Sequence, residues 1–262
     1  RYIRGYMKFL RYYIYRDESK KALIYKIIIV LTAIAMCLPF FARYNTKYIV
    51  GGCAKDAIFV LMGRFVFPML ELISVIFYIR LALRDNNQNV VIRYGSKRRI
   101  WIYQSIGGLL YSLECVLLIY VASIGSGIAY FGTYDKWMLE GSMYYRMVIH
   151  NKWSFQMVVT QFQMYLFIVV IKTFITNITI NISLLFNYIT GSTRVAILIG
   201  IIICGLDFIA YMGSCGLFEL EFVNFYSMED CILKVLIAFL ADAILFLIGV
   251  YMSGFREYLG KR

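Results

Sequence analysis

Residues 231–252 read CILKVLIAFLADAILFLIGVYM, and this stretch decides the fold class of the chain. An α-helix needs about 20 mostly apolar residues to cross the hydrocarbon core of a bilayer, and this run is long enough. Only Lys234 and Asp242 interrupt it with charge. The stretch therefore predicts a transmembrane helix, and similar runs recur along the chain.

The composition of the whole chain agrees with a membrane protein. Hydrophobic residues make up 61% of the 262 residues and charged residues only 16%, which is outside the range of ordinary soluble domains. The formal net charge is +12. The basic residues stand at the ends of apolar runs, where they set orientation and meet lipid head groups, so the expected partner is a lipid bilayer and not nucleic acid.

The apolar runs predict an all-α integral membrane protein with about six transmembrane helices. Residues 1–21 have an apolar face and a basic face at helical spacing, which is typical of an interfacial helix lying on a membrane. Residues 253–262 form a basic cytoplasmic tail. The six-helix domain covers 22–252, and its expected spans are 22–41, 57–83, 100–124, 155–186, 195–211 and 231–252.

Breaks in the pattern predict where the helices bend or end. We expect Pro39 to stop the first helix, Pro68 to kink the second and Gly191 to cap the fourth. The Tyr- and Trp-rich segment 127–153 fits an external hairpin at the membrane interface. The apolar stretch 212–230 fits a re-entrant or surface hairpin.

The distribution of Lys and Arg predicts the orientation. Sixteen of these residues lie in the segments that include both termini, whereas six lie in the segments on the other side of the predicted membrane. Cytoplasmic loops carry the excess of positive charge in membrane proteins. Both termini are therefore expected inside the cell.

No motif predicts catalysis or metal binding, so no catalytic or metal-ligating residue is assigned. The chain has no G-x-x-x-x-G-K-[ST] phosphate loop, no HExxH, a single His150 and six Cys without a CxxC pair. It is not expected to hydrolyse ATP alone. The Asn177 and Asn181 glycosylation sequons lie in the predicted fourth helix, and we interpret them as chance matches.

The polar segment between the second and third spans is the strongest local signal. Asp85 and Gln88 have the spacing of a capping box that opens a short helix, and the sequence RYGSKRR at 93–99 leads into the third span. A short helix joined to two spans at the cytoplasmic face could transmit force from a soluble partner. The alternative is an ordinary positive loop with a Gly-Ser helix start.

The order of these features resembles the ABC-2-type transporter permeases, with a transmembrane domain like that of type V exporters. More narrowly, it is similar to small Gram-positive peptide exporters of the bacteriocin or phenol-soluble-modulin type. The resemblance rests on an N-terminal interfacial helix, six spans, the RYGSKRR segment followed by Trp101, and an apolar hairpin between spans five and six.

The resemblance implies a subunit of an ATP-driven exporter in the bacterial cell membrane. Two separate ABC ATPase subunits would bind ATP and Mg. A second permease subunit, identical or related, would complete the assembly. The cargo would be an amphipathic peptide. Implied ATPase-coupling residues are Asp85, Asn86, Gln88, Arg93 and Tyr94. The implied external gate hairpin carries Leu217, Phe218, Glu219, Glu221 and Phe222.

Charged residues inside the predicted spans are a second signal, because each costs about 2.5–3.5 kcal/mol at mid-bilayer. The candidates are Arg64, Glu71, Glu114, Lys172 and Asp242. One interpretation is a polar pathway for a cationic or amphipathic peptide. The other is that Lys172 pairs with Asp242 or Glu71 to hold the bundle together, while Glu114, in the outer half of its span, is protonated.

Two other functions stay open. A receptor or immunity protein would sequester an antimicrobial peptide at 127–153 and 212–230 without nucleotide. A proton-linked carrier would use Glu71, Glu114 and Asp242, and it would respond to a proton gradient without ATP.

Overall fold

The computed structural model describes residues 20–44, 52–63, 66–82, 96–137, 160–210 and 227–259. Within these residues the regular structure is entirely helical, which confirms the expected all-α class. The seven helices are α1 (Lys20–Tyr44), α2 (Ala54–Met62), α3 (Phe67–Ala82), α4 (Lys97–Phe131), α5 (Gln161–Thr190), α6 (Thr193–Ala210) and α7 (Met228–Leu259).

Four helices are long and apolar enough to cross a membrane, and a fifth span forms if α2 and α3 count as one bent helix. The four stretches are Lys20–Pro39, Lys97–Phe131, Phe162–Thr190 and Met228–Gly254. Helix α6 corresponds to the expected span at 195–211 and is 18 residues long, which is near the lower limit for a bilayer crossing. The sixth span therefore stays a prediction.

Three expected helix ends are displaced. Helix α1 continues through Pro39 to Tyr44, so the expected stop at Pro39 is wrong. In an apolar environment the backbone N–H and C=O groups after Pro39 have no water to bond with, and a helix lets them bond with each other. Helix α4 runs past residue 124 to Phe131 and takes in the start of the expected external hairpin. Helix α7 continues to Leu259, so most of the expected tail is helical.

The second expected span is broken before Pro68, not kinked at it. Helix α2 ends at Met62, and Gly63 follows it in an extended conformation. Helix α3 begins at Phe67 and is inclined to α2 by 62°. Pro68 thus lies in the first turn of α3, where its missing N–H costs no helical hydrogen bond.

Helix α5 lies at the centre of the described bundle. It packs against α3, α4, α6 and α7, and 67% of its most apolar stretch is buried. It ends as expected at Gly191, which adopts the left-handed conformation with φ 71° and donates its N–H to the Asn187 carbonyl oxygen. Helices α1 and α7 lie at the periphery and have only 22% and 17% of the corresponding stretches buried.

Side-chain contacts give the relative directions of the helices. Helices α1 and α4 are parallel, because Lys26 meets Glu114 and Cys37 meets Ser126 at nearly the same sequence separation. Helix α5 is antiparallel to α4, because Tyr188 contacts Gln104 and Tyr165 contacts Tyr120. Helix α7 is parallel to α5, because Phe174 contacts Phe239 and Asn177 contacts Asp242. The start of α1 and the end of α7 therefore lie at one end of the bundle.

The two ends of the bundle differ in charge. The end that holds the start of α1 is called the basic end here, and the charged side chains that the structure describes there are Lys20, Lys21, Arg80, Lys97, Arg98, Arg99 and Arg194. Helix α7 also ends there, with Arg256 and Glu257 in its last turn. The opposite end has mixed charge from Lys55, Asp56, Asp135, Lys136, Glu229 and Asp230. Positive side chains thus predominate at one end and the other end has mixed charge, while the orientation of the two ends in a membrane stays a prediction.

Candidate functional site: a polar core around helix α5

Helix α5 carries a face of buried polar side chains inside an otherwise apolar bundle. In a spanning helix such groups are tolerated where they face other helices, since lipid offers them no hydrogen bonds. Their spacing of three or four residues places many of them on the side that meets α3, α4 and α7. The buried members are Lys172, Thr173, Thr176, Asn177, Thr179, Asn181, Ser183 and Asn187.

Two of these side chains bind Asp242 of α7. The Asn177 Nδ2 donates to both carboxylate oxygens, at 3.0 Å from Oδ1 and 2.8 Å from Oδ2. The Asn181 Nδ2 donates to Oδ1 at 2.8 Å. Asp242 is 8% exposed, so the carboxylate is nearly enclosed by the contact between α5 and α7. The three residues are called the amide–carboxylate cluster below.

The amide oxygens of this cluster are not used in hydrogen bonding. Within the described residues, neither Asn177 Oδ1 nor Asn181 Oδ1 has a hydrogen-bond partner, although both side chains are buried. Gly108 of α4 faces the first of them, and a Cβ at Gly108 would lie only 2.8 Å from Asn177 Oδ1. The absence of a side chain at Gly108 is what allows α4 to approach the cluster.

The expected ion pairs differ from the observed contacts. All recorded hydrogen bonds to Asp242 in the described part of the chain come from the two amides, so the expected Lys172–Asp242 pair does not form. The Lys172 Nζ lies 4.7 Å from the centre of the Phe67 ring. The Thr179 hydroxyl donates to Glu71 Oε1 at 2.7 Å and joins α5 to α3. Pairing between Lys172 and Glu71 stays a prediction.

Glu114 has a basic partner on α1, and its expected protonation stays a prediction. The Lys26 Nζ lies 2.6 Å from Glu114 Oε1. The sequence placed Glu114 in the outer half of its span, but α4 is longer than expected, and Glu114 lies midway along it, level with the second turn of α1. The parallel packing of α1 and α4 thus brings a lysine and a glutamate to the same height.

At the basic end, hydrogen bonds join four helices close to Ala82 and Ser96, the residues that flank the segment 83–95. The Gln104 Nε2 donates to the carbonyl oxygen of Ala82, the last residue of α3, at 3.0 Å. The Tyr78 hydroxyl donates to the Gln104 carbonyl oxygen, and the Tyr188 hydroxyl of α5 lies 3.3 Å from Gln104 Oε1. The Trp101 Nε1 donates to the Phe246 carbonyl oxygen of α7 at 3.2 Å.

These contacts define the basic-end junction, formed by Tyr78, Trp101, Gln104 and Tyr188. The Trp101 and Tyr188 rings pack edge to face with centres 5.4 Å apart, and Trp101 is fully buried. Ser96 caps α4 by accepting from the Arg99 N–H at 3.2 Å, as the Gly-Ser helix start predicted. Both anchors of the segment 83–95 are therefore held by the bundle.

At the opposite end, residues 132–137 fold over the start of α2. Lys55 is buried and forms a salt bridge with Asp135, while the Trp137 Nε1 donates to Asp56 Oδ1 at 2.9 Å. Partial burial raises the pKa of Asp135, but hydrogen bonds from Lys55 and the Trp137 N–H, with the Lys55 charge, outweigh it and hold the pKa below its ordinary value. This group is called the opposite-end cluster.

Several predicted site residues lie outside the described residues. They are the coupling candidates Asp85, Asn86, Gln88, Arg93 and Tyr94, the pathway candidate Arg64, and the gate candidates Leu217, Phe218, Glu219, Glu221 and Phe222. The expected interfacial helix 1–21 lies almost wholly outside them as well. These assignments stay predictions.

The sequence interpretation missed Asn177, Asn181, Thr179 and Gln104. Two of them were read only as glycosylation sequons, although the fourth-helix polar residues 173, 177 and 181 recur every four positions in an apolar run. That period is the signal of a buried polar face. Gln104 gave no such signal, because its partners lie on two other helices, α3 and α5.

No metal site stands out, since the described residues contain no group of three or more His, Cys, Asp or Glu side chains placed to hold an ion. Comparison with known proteins gives no family either. No protein-family profile, curated protein or solved structure matches this chain.

Proposed function

We propose that this chain is the membrane permease subunit of an ATP-binding-cassette exporter. It would move an amphipathic peptide, or a cargo of similar character, out of a bacterial cell, while a separate nucleotide-binding subunit hydrolyses ATP. The proposal is supported by the resemblance of the sequence to ABC-2-type permeases and by the arrangement of the helical bundle.

The basic-end junction is the observation that carries the proposal. An exporter of this kind needs a cytoplasmic contact for the ATPase and a mechanical connection from that contact to the interior of the bundle. Residues 83–95 leave α3 at Ala82 and enter α4 near Ser96. Gln104 and Trp101 tie those two helices to α5 and α7 through Tyr188 and Phe246. A displacement of the segment would thus reach the two helices that hold the amide–carboxylate cluster.

The polar face of α5 supplies the second argument. A permease needs hydrophilic groups within the membrane that are hidden from lipid in its resting state. Helix α5 places polar side chains against α3 through Thr179 and Glu71, and against α7 through Asn177 and Asp242. Opening these contacts would present amides and carboxylates to an amphipathic cargo.

The positive residues of the basic end support the proposed orientation, and the exposed apolar side chains of α1 and α7 support the proposed assembly. Positive residues favour the cytoplasm, so we assign the basic end, and with it both termini, to the inside. Helices α1 and α7 expose apolar side chains such as Leu31 and Leu247. In the proposed assembly, lipid and a second permease subunit share these surfaces.

Affinity purification tests the proposal. The tagged chain would be expressed with its native neighbouring genes, extracted in detergent and analysed by mass spectrometry and by an ATPase assay. We expect a stoichiometric ABC ATPase to purify with it. A chain that purifies alone, and that protects cells from an antimicrobial peptide without nucleotide, would favour the receptor hypothesis instead.

Charge reversals locate the contact. Asp85→Lys and Arg93→Glu are expected to weaken ATPase binding or its stimulated hydrolysis, because both residues lie in the predicted coupling segment. Lys136→Glu is the matched control, since it reverses a charge at the opposite end of the bundle. Equal activity of all three variants and the parent chain would remove the coupling assignment.

A further inference from the structure

Two carboxyl groups in spanning helices have contrasting surroundings. Glu114 of α4 is compensated by an ammonium group, with Lys26 Nζ at 2.6 Å. Among the residues that the structure describes, Asp242 of α7 receives only neutral amide N–H groups, from Asn177 and Asn181. It is also the more deeply buried of the two, at 8% exposure for the residue against 35% for the Glu114 side chain.

No charged side chain of the described residues contacts the Asp242 carboxylate. Apart from residues in the first and last turns, the charged groups on the surrounding helices are Glu71 on α3, Glu114 on α4, Lys172 on α5 and Lys234 on α7. None of them is within hydrogen-bonding distance of Asp242, whose recorded partners are the two asparagines. A buried anion without a counter-charge is strongly disfavoured, because amide hydrogen bonds offset only part of the lost hydration.

A cation must therefore compensate this group, and the geometry selects among cations. The carboxylate is enclosed by α5 and α7, so an ammonium or guanidinium group of a larger ligand has no room beside it in this arrangement. Hard metal ions prefer six or more oxygen ligands, whereas the cluster offers two carboxylate and two amide oxygens. A proton needs no cavity and only one acceptor.

We propose that Asp242, with Asn177 and Asn181 as its positioning partners, is a proton-binding site within the membrane bundle. A proton from water forms an O–H bond at Asp242 Oδ2 and neutralises the carboxylate. A half-turn of the Asn177 amide then breaks its two N–H contacts to Asp242 and turns its Oδ1 toward that O–H as an acceptor. The Asn181 N–H continues to donate to Asp242 Oδ1, and loss of the proton to water reverses each step.

This arrangement also gives the unpartnered amide oxygen of Asn177 a role. A buried amide oxygen without a partner costs free energy, and a proton on Asp242 supplies the missing donor. The site would hold its proton while α5 and α7 are in contact and release it when they separate and water enters. The inference does not depend on the proposed ATPase partner, so either can fail without the other.

Infrared spectroscopy of the purified chain in lipid nanodiscs tests the site. The wild-type chain is expected to show the carbonyl stretch of a protonated carboxyl group at neutral pH, with the small shift that exchange into D2O causes. Labelling aspartate with ¹³C at the side-chain carboxyl should shift the band, which assigns it to aspartate without any substitution.

Two variants assign the band to one residue. Asp242→Asn should remove it, whereas the matched control Glu114→Gln should leave it unchanged, because the ¹³C label is on aspartate and Glu114 lies outside the amide–carboxylate cluster. Asp56→Asn, which removes the other buried aspartate, should also leave it. The absence of a labelled aspartate band in the wild-type chain would overturn the proposal. A band that sodium or potassium salts abolish at constant pH would overturn it too, in favour of a metal ion.

Discussion

Helices α1 and α5 are both long and apolar enough to cross a bilayer, yet they occupy opposite positions in the bundle. Helix α5 has 67% of its most apolar stretch buried and carries eight buried polar residues, while α1 has 22% buried and exposes leucine and isoleucine. In a bilayer, polar side chains mark the protein-facing side of a helix more clearly than apolar ones do, since lipid accepts the latter. The comparison therefore places the buried polar groups of the described bundle along α5.

The largest effect is expected from filling the close approach of α4 to α5. Gly108→Val would place a Cβ 2.8 Å from Asn177 Oδ1 and 3.2 Å from Ile180 Cγ2, so either these side chains or the two helices must shift. We expect a loss of about 3 kcal/mol in the free energy of unfolding. Titration with SDS in mixed micelles measures it.

Gly125→Val is the control for that variant. It lies on the same helix, and a Cβ there meets nothing within 4 Å. The expected change is within about 0.5 kcal/mol. Similar losses for the two variants would show that α4 does not approach α5 as described.

A smaller effect is expected from matched leucine truncations. Leu184→Ala on α5 removes a side chain that is 0% exposed, whereas Leu31→Ala on α1 removes one that is 59% exposed. We expect Leu184→Ala to lower the free energy of unfolding by about 2 kcal/mol. The variant loses packing contacts between helices, but no side chain moves between water and the protein interior. The second should cost less than about 0.5 kcal/mol in the same micelle titration. A larger loss at Leu31 would mean that another surface covers α1.

A still smaller effect is expected from the polar contact itself. Asn181→Leu removes one amide donor from Asp242, and interhelical hydrogen bonds in membranes are worth about 0.6 kcal/mol on average. The expected loss is about 1 kcal/mol by thermal unfolding in detergent, because the group left behind is buried. The reciprocal change Leu31→Asn should barely change the unfolding temperature, because position 31 faces lipid in both the folded and the unfolded protein. A stabilised Asn181→Leu protein would argue that the cluster has no structural role.

The smallest effect is a pH dependence at the opposite-end cluster. The pKa of Asp135 is lowered in the folded state, so its contribution is fully present above the ordinary value near 3.8 and is lost as the pH falls through the folded-state value. Solvent screening limits it to about 0.5 kcal/mol, since 46% of the side chain is exposed. Melting temperatures of the parent chain and Asp135→Asn should therefore converge as the pH falls below the ordinary value of 3.8. A difference that stays constant as the pH is lowered would show that the salt bridge does not titrate.

Hydropathy predicted the class of the protein and the approximate position of most helices, because lipid selects long apolar runs whatever their neighbours are. The break at Gly63 was missed because Pro68 carries the stronger local signal, yet proline is tolerated in a first turn. The end of α4 was set too early because the interface residues 125–131 are less apolar but still helical.

The site was harder to predict than the fold. The partner of Glu114 depends on the relative height of α1 and α4, which no single run of sequence contains. Asp242 was identified by its charge, but its amide partners were visible only as a four-residue period of polar positions in α5. Gln104 joins α4 to two other helices, α3 and α5, and such a junction becomes apparent only once those helices are packed.

The central claim, coupling through the basic-end junction, is tested most directly by the ATPase activity of the purified assembly. Gln104→Met removes the side-chain contacts to Ala82 and Tyr188 at nearly unchanged volume, and Gln163→Met makes the same substitution at the opposite end, where Gln163 caps α5. We predict that the Gln104→Met assembly still forms but loses the hydrolysis that the membrane subunit stimulates, while Gln163→Met matches the parent. Undiminished stimulation in the Gln104→Met assembly, or an assembly with no ATPase at all, would contradict the account.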